Sequence, residues 1–165
     1  MTTRRTVLAA GPAAVLAAGC AAPRPQAERP EAAEGPVRTD IAPLERRFPL
    51  LGRLMGAHWL AYDLVAANNG RWVPGPSDIR VVGVAALAEG RVAALIADRA
   101  FRPASLPELP GRLAVHVPAD ARWLYADSFD TELTGDLYSG SFLLSQARDL
   151  VCFDSVNPVA AVPSS

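Results

Sequence analysis

The sequence predicts an α+β fold, a small single domain with a mostly antiparallel sheet and one or two helices, after a signal segment and a tether. Residues 79–87, IRVVGVAAL, are apolar and largely β-branched, which is typical of a strand covered on both faces. Residues 88–101 place apolar side chains at helical steps and predict a helix that ends before a proline. Alternating residues in 137–144 and 149–154 predict a terminal hairpin, with its turn at 146–149.

The segment from Ile41 to Asn69 allows two interpretations. Its large apolar residues recur at steps of three and four, which fits one face of a long helix. Gly52 and Gly56 oppose this, since each glycine inside a helix costs about 1 kcal/mol relative to alanine. The alternative is a short helix that ends near Gly56, followed by a strand over residues 58–66. We favour this second interpretation.

The remaining segments are shorter. Residues 71–78 and 102–110 are rich in proline and predict loops, because proline lacks the N–H that helices and central strands need. Residues 113–117 predict a short strand, and residues 121–125 fit either a strand or extended loop. We expect the chain after Pro158 to fray.

Length and charge limit the classes of function. The chain has 165 residues and a formal net charge of −1, which suits one domain with a core. A mildly acidic chain has no electrostatic footprint for nucleic acid, so we expect no nucleic-acid partner. We expect a signal at 1–19, a lipidated cysteine with a mobile, proline-rich tether at 20–40, the domain at 41–158 and a tail at 159–165.

The first twenty residues have the layout of an export signal. Arg4 and Arg5 precede a short apolar run, which small residues close at Cys20. The arginine pair resembles a twin-arginine signal, although an ordinary secretory signal remains the alternative. Residues 16–20, LAAGC, resemble the lipoprotein box of bacterial lipoproteins. That resemblance implies a diacylglycerol on the Cys20 sulfur and a domain held by membrane lipid on the extracytoplasmic side.

Cys152 is the second of two cysteines. If Cys20 carries lipid, no disulfide can form within the chain. Cys152 lies in the apolar run 150–153, where we expect it to be buried as a small hydrophobic side chain. Alternation places it on the face opposite Val151 and Phe153, so burial requires that both faces of the hairpin are covered.

No complete catalytic or cofactor motif stands in the chain, and we expect no cofactor and no metal. His58 and His116 are the two histidines, and with a carboxylate they are a weak candidate for a zinc site. Residues 127–136, DSFDTELTGD, are expected to form a solvated turn. They match a calcium loop only in part, because Ser141 stands where the closing Glu belongs.

Two classes of function follow. We favour a non-catalytic, membrane-anchored lipoprotein that binds an envelope protein or ligand. Trp72 is then the expected anchor, presented by the stiff turn Pro74, Gly75 and Pro76. The alternative is a small envelope hydrolase that uses the acidic residues of 127–136, for example Asp127 with Glu132 as an acid pair.

Overall fold

The structure is a computed structural model, and it describes residues 35–64 and 78–160. Within these ranges the chain forms short helices and six strands. The helices are α1 (Ala42–Arg47), α2 (Arg91–Ile96), α3 (Gly111–Ala114) and α4 (Asp127–Thr134). The strands are β1 (Leu54–Asp63), β2 (Ile79–Leu87), β3 (Arg102–Ala104), β4 (Trp123–Tyr125), β5 (Ser139–Ser145) and β6 (Leu150–Val156). Two single 3-10 turns lie at Pro49–Leu51 and Gln146–Arg148.

All six strands join one sheet in the order β1-β2-β6-β5-β4-β3, and every neighbouring pair is antiparallel. The expected α+β class with a mostly antiparallel sheet is therefore confirmed. β2 and β6 are neighbouring interior strands, so each is paired along both edges and covered on both faces. This placement is what their continuous apolar pattern indicates.

The first face of the sheet carries the main core. Directly opposed residues in neighbouring strands share a face, so Trp59, Phe153 and Phe142 point to the same side. The helices α1, α2 and α4 cover this side with apolar residues. The helix residues in this cluster are Leu44, Val92, Leu95, Phe129 and Leu133.

The second face is covered by residues 105–121, which we call the covering segment. It connects β3 to β4 and contains α3. Leu113 of α3 is fully buried against Leu60 and Val82, while Val117 and Ala121 pack on a second cluster around Trp123. Leu109 contacts both clusters and joins them. The domain thus has helices on one face of its sheet and a largely irregular segment on the other.

The sequence-predicted strand at 79–87 and the terminal hairpin are confirmed. Asp149 does more than end the hairpin turn, because its carboxylate accepts hydrogen bonds from the backbone N–H groups of Gly90 and Val92 at 2.9 and 3.0 Å. Those two donors lie at the start of α2, where a helix leaves N–H groups without internal partners. The side chain of Asp149, the residue just before β6, thereby fixes where α2 begins.

The split interpretation of residues 41–69 is confirmed where the structure describes them. A helix and a 3-10 turn end at Leu51, and β1 then runs over Leu54–Asp63. The sequence predicts a start at residue 58, and the strand begins earlier, at Leu54. The expected end at residue 66 lies outside the described residues. The long-helix alternative is wrong, because Phe48, Leu51 and Trp59 reach one core from separate elements.

Two other predictions need correction. The helix expected over residues 88–101 is limited to α2, because Asp149 caps its start and Phe101 turns in against Phe129, with ring centroids 5.4 Å apart. The loop expected at 102–110 begins with β3. Of the two alternatives for residues 121–125, the strand is confirmed at their C-terminal end, where β4 lies.

The strand expected at residues 113–117 is wrong. The chain forms α3 and a following turn, in which Leu113 is buried and Val115 is 78% exposed. A strand covered by the sheet would have hidden one alternating set of side chains. Here the inward positions are Leu113 and Val117, four residues apart, which is a helical interval.

Ordered contacts begin before the expected domain boundary at residue 41. Arg38 and Trp59 exchange backbone hydrogen bonds of 2.8 and 3.0 Å across the outer edge of β1. The Trp59 indole N–H also donates to the Asp40 carbonyl oxygen at 3.0 Å, and the Arg38 guanidinium lies 4.1 Å from the indole centre. Residues 38–40, assigned to the tether from sequence, thus lie against the sheet.

Candidate binding groove

A groove of about 470 Å³ opens at the covering segment, beside β4. Its lining is mostly apolar or small and comes from one stretch of chain. The lining residues are Leu106, Pro107, Glu108, Leu109, Ala114, Val117, Pro118, Ala119, Ala121 and Trp123. A concave apolar surface with few polar groups is the usual form of a ligand site, which makes this the candidate site of the domain.

Trp123 is the largest side chain in the groove and belongs to β4. It is 7% exposed and packs with Val84, Leu143 and Cys152 on the second face of the sheet. The sheet therefore holds the indole rigidly, while its outer edge contributes to the groove wall. A rigid aromatic ring offers contact area with little loss of side-chain entropy on binding.

Prolines also contribute to the groove. Pro107 and Pro118 line it, and Pro110 directly precedes α3 with an extended backbone (φ −49°, ψ 136°). Each ring fixes its own φ, which limits the conformations open to the covering segment. Leu113 anchors the same segment to the sheet, where it packs with Leu60 and Val82.

A stacked pair of histidines fastens the covering segment to β1. The rings of His58 on β1 and His116 after α3 are parallel within 2°, with centroids 3.7 Å apart. Burial lowers the pKa of His58 below 6.5, and the neighbouring His116 lowers it further. The structure thus brings the two sequence-predicted zinc candidates together, but no group of three potential ligands stands near them in residues 35–64 and 78–160.

A buried polar atom lies next to Trp123 in the sheet. Ser145 is fully buried on the second face of the sheet, and its hydroxyl oxygen has no hydrogen-bond partner within the described ranges. Because Leu124 pairs with Leu144, the antiparallel register sets Ser145 opposite Trp123. An unpaired buried hydroxyl costs stability at this position.

Comparisons with family models, curated proteins and solved structures find no match for this chain. The interpretation of the groove therefore depends on its own residues and geometry.

Residues 127–134 of the acidic stretch form α4. The expected solvated turn is therefore wrong, and so is the partial calcium loop. Asp130 is only 9% exposed and accepts the backbone N–H of Phe142 at 2.8 Å. Glu132 forms a paired interaction with Arg99 at 2.7 and 2.8 Å, and Asp136 is exposed beyond the helix. The four carboxylates thus divide between the core and separate surface positions.

Asp127 and Glu132 do not form the acid pair considered from sequence. Asp127 contacts Arg102 at 3.2 Å and accepts the Tyr125 hydroxyl at 2.8 Å, whereas Glu132 faces Arg99. Burial raises the pKa of Asp130 to about 6, although the Phe142 N–H opposes that shift. It is Asp130, and not Glu132, that shares the neighbourhood of Tyr125 and Asp127.

Cys152 is fully buried, as predicted, and the expected cover on both faces is confirmed. Its side chain packs beside Val84, Leu143 and Trp123 on the second face, while Val151 and Phe153 lie in the first-face core. Burial raises the pKa of the thiol to about 12, with a smaller contribution from Asp154. The thiol is therefore structural and holds no reactive thiolate at neutral pH.

The other sequence-predicted functional residues lie outside the described residues. These are Arg4, Arg5, Cys20, Trp72, Pro74, Gly75 and Pro76. Across residues 35–64 and 78–160, none of the helices has the length and hydropathy to cross a bilayer. The groove was missed from sequence, although one signal was present: four prolines between residues 103 and 118 alternate with leucine and valine.

Proposed function

We propose that this protein is a lipid-anchored, extracytoplasmic binding module without catalytic activity, and that the Trp123 groove receives an extended, proline-containing peptide segment. The observation that carries the binding role is the groove itself, whose lining includes the rigidly held Trp123 together with Pro107 and Pro118. Proline-rich segments adopt a preformed helix that docks on aromatic-lined grooves with little loss of entropy.

The anchoring part of the proposal is supported by residues 1–20. Arg4 and Arg5 before an apolar run, and Cys20 after it, form the layout described above. Lipid on Cys20 would restrict the domain to the membrane surface, where an envelope protein is the natural source of a peptide partner. The Trp72 turn remains a predicted second contact.

A small envelope hydrolase is the alternative. It receives less support, because Asp127 and Glu132 face different arginines and Asp130 is engaged with the Phe142 backbone. Among the described residues that line the groove, Glu108 is the only ionisable one. This arrangement favours recognition over acid–base chemistry.

The binding proposal is tested by NMR titration of the protein with a synthetic polyproline decapeptide. Shift changes should concentrate on the groove residues, such as Trp123 and Val117. Ala119→Trp should abolish them, because Ala119 is exposed in the groove and a large ring there would fill it. Ala94→Trp is the matched control, since Ala94 is exposed on α2, over the opposite face. Absent or scattered shifts, or equal loss in both variants, would contradict the proposal.

A further inference from the structure

We propose that the chain's own residues 23–30, PRPQAERP, occupy the Trp123 groove until a partner segment displaces them. This inference extends the proposed function, because it assumes that the groove accepts proline-containing segments. It assigns the tether a second role besides spacing the domain from the membrane.

The first argument is where the chain enters the domain. The Gly35 carbonyl oxygen accepts a hydrogen bond from Arg112 Nη1 at 2.6 Å. Arg112 belongs to α3, and Ala114 of the same short helix lines the groove. Val37 packs on the cluster that includes Leu109, another lining residue. The described part of the chain therefore begins, at Gly35, close to residues that line the groove.

The second argument is reach. Ten residues lie between residue 24 and Gly35, which makes eleven residue steps. In a polyproline helix, at about 3.1 Å per residue, they span up to about 34 Å, which is enough to extend from α3 across a groove of this size. A short linker of this kind gives an effective concentration on the order of millimolar, so a weak contact is enough for occupancy.

The third argument is chemical fit. Residues 23–30 contain three prolines, and their other residues are small or polar. The groove lining already contains large apolar side chains, such as Leu106, Leu109 and Trp123, so a segment without further large apolar side chains suits it. They carry two arginines and one glutamate. Glu108 is exposed on the groove wall and offers the opposite charge to Arg24, which lies between Pro23 and Pro25.

Docking has a consequence for the anchored protein. With residues 23–30 in the groove, only the few residues between Cys20 and Pro23 are left as spacer, and the domain lies close to the bilayer. A partner that takes the groove releases the tether and extends the reach of the domain. Binding and spacing are then coupled through one site.

The test uses the chain from residue 20 onward with Cys20→Ser, which contains every described residue. A photo-crosslinking benzoylphenylalanine is placed at Val115, which is 78% exposed next to the lining residue Ala114 and lies outside the lining itself, or, as control, at Ala94 on α2. After irradiation and digestion, mass spectrometry should find position 115 linked to residues 23–30 of the same molecule and position 94 not linked to them. No such link from position 115, an equal link from position 94, or links only between two isotopically distinguished copies would overturn the inference.

A charge exchange tests the fit. Glu108→Arg should reduce the crosslink yield about two- to fivefold, the range expected for one exposed ion pair, and adding Arg24→Glu should restore it. Equal yields in all three proteins would refute the Glu108–Arg24 contact and with it the docked register. The two proposals fail separately: polyproline shifts in the groove without this crosslink would overturn the tether inference alone, and absence of both would overturn the proposed function as well.

Discussion

Gly83 on β2 lies directly opposite Trp59 on β1, and the space between them has no room for a side chain. A Cβ atom on Gly83 would stand 2.5 Å from the Trp59 Cβ and 2.6 Å from the His58 carbonyl oxygen. These contacts involve backbone and the root of a buried side chain, so neither can move away cheaply. Trp59 is fixed further by Arg38, whose guanidinium lies 4.1 Å from the indole centre, and by the Asp40 carbonyl oxygen, which accepts the indole N–H.

Gly83→Ala should therefore destabilise the domain by about 1–3 kcal/mol, the usual cost of overpacking a core. The measurement is chemical denaturation. Gly56→Ala is the matched control, because Gly56 lies in β1 and a Cβ there meets no atom within 4 Å. Equal stability of the two variants would contradict the close packing of β1 on β2.

The strongly patterned parts of this fold could be predicted from sequence. The apolar run 79–87 and the alternation around Phe142 and Phe153 depend on local periodicity, and both appear in the sheet as expected. α4 was missed because its apolar residues, Phe129 and Leu133, are only two among polar neighbours. Its core contact and the N–H bond from Phe142 come from β5, which is distant enough that no local pattern shows it.

The groove could not be predicted for a related reason. Its wall residues are close in sequence, but their arrangement depends on Leu113 docking between β1 and β2 and on Trp123 joining the sheet. Local alternation at 113–117 favoured a strand, and tertiary packing overrode it. The His58–His116 stack likewise joins residues 58 positions apart, which periodicity cannot reveal.

The contribution of Asp130 to the stability of the fold should depend on pH with the sign opposite to that of most carboxylates. Its pKa is raised from 3.8 to about 6, so the folded state favours the protonated form. The stabilisation is complete below about pH 4 and is lost as the pH rises through 6. We expect wild type to gain stability relative to Asp130→Asn when the pH falls from about 7.5 to 4.5.

Glu132 on the same helix is the control for that experiment. Arg99 lowers the pKa of Glu132, so the contribution of Glu132 to stability is lost as the pH falls. Wild type should therefore not gain stability relative to Glu132→Gln over the same range. The measurement is the free energy of unfolding at each pH. A gap between wild type and Asp130→Asn that stays constant with pH would show that Asp130 titrates normally.

His58 should make the covering segment sensitive to mild acid. Its pKa is lowered by burial and by His116, so the fold favours the neutral ring. This stabilisation is complete above about pH 6.5 and is lost as the pH falls through the lowered pKa. His58→Phe keeps a ring against His116 and removes one charge, so wild type should lose stability relative to this variant between about pH 7.5 and 5.5. Parallel pH profiles of the two proteins would argue against the stacked contact.

Cys152 should react slowly with a thiol reagent in the native protein. The thiol is fully buried, so a reagent cannot reach it easily, and its pKa is raised to about 12, so little of it is in the reactive thiolate form. The measurement is thiol labelling of the Cys20→Ser chain before and after adding denaturant. Ser128→Cys in the same background is the control, because Ser128 is exposed on α4 and a thiol there should label at once. Fast native labelling of Cys152 would contradict the cover seen on the second face.

We propose that this domain works at a membrane surface, held there by lipid on Cys20. The most direct measurement is metabolic labelling with a fatty acid, followed by isolation of the protein. Wild type should carry the label, and Cys20→Ala should lose both the label and normal processing. Replacing Arg4 and Arg5 by lysine should stop export if the signal is of the twin-arginine type, because lysine preserves the charge of an ordinary signal. Equal labelling of wild type and Cys20→Ala, or no label on either, would contradict the claim.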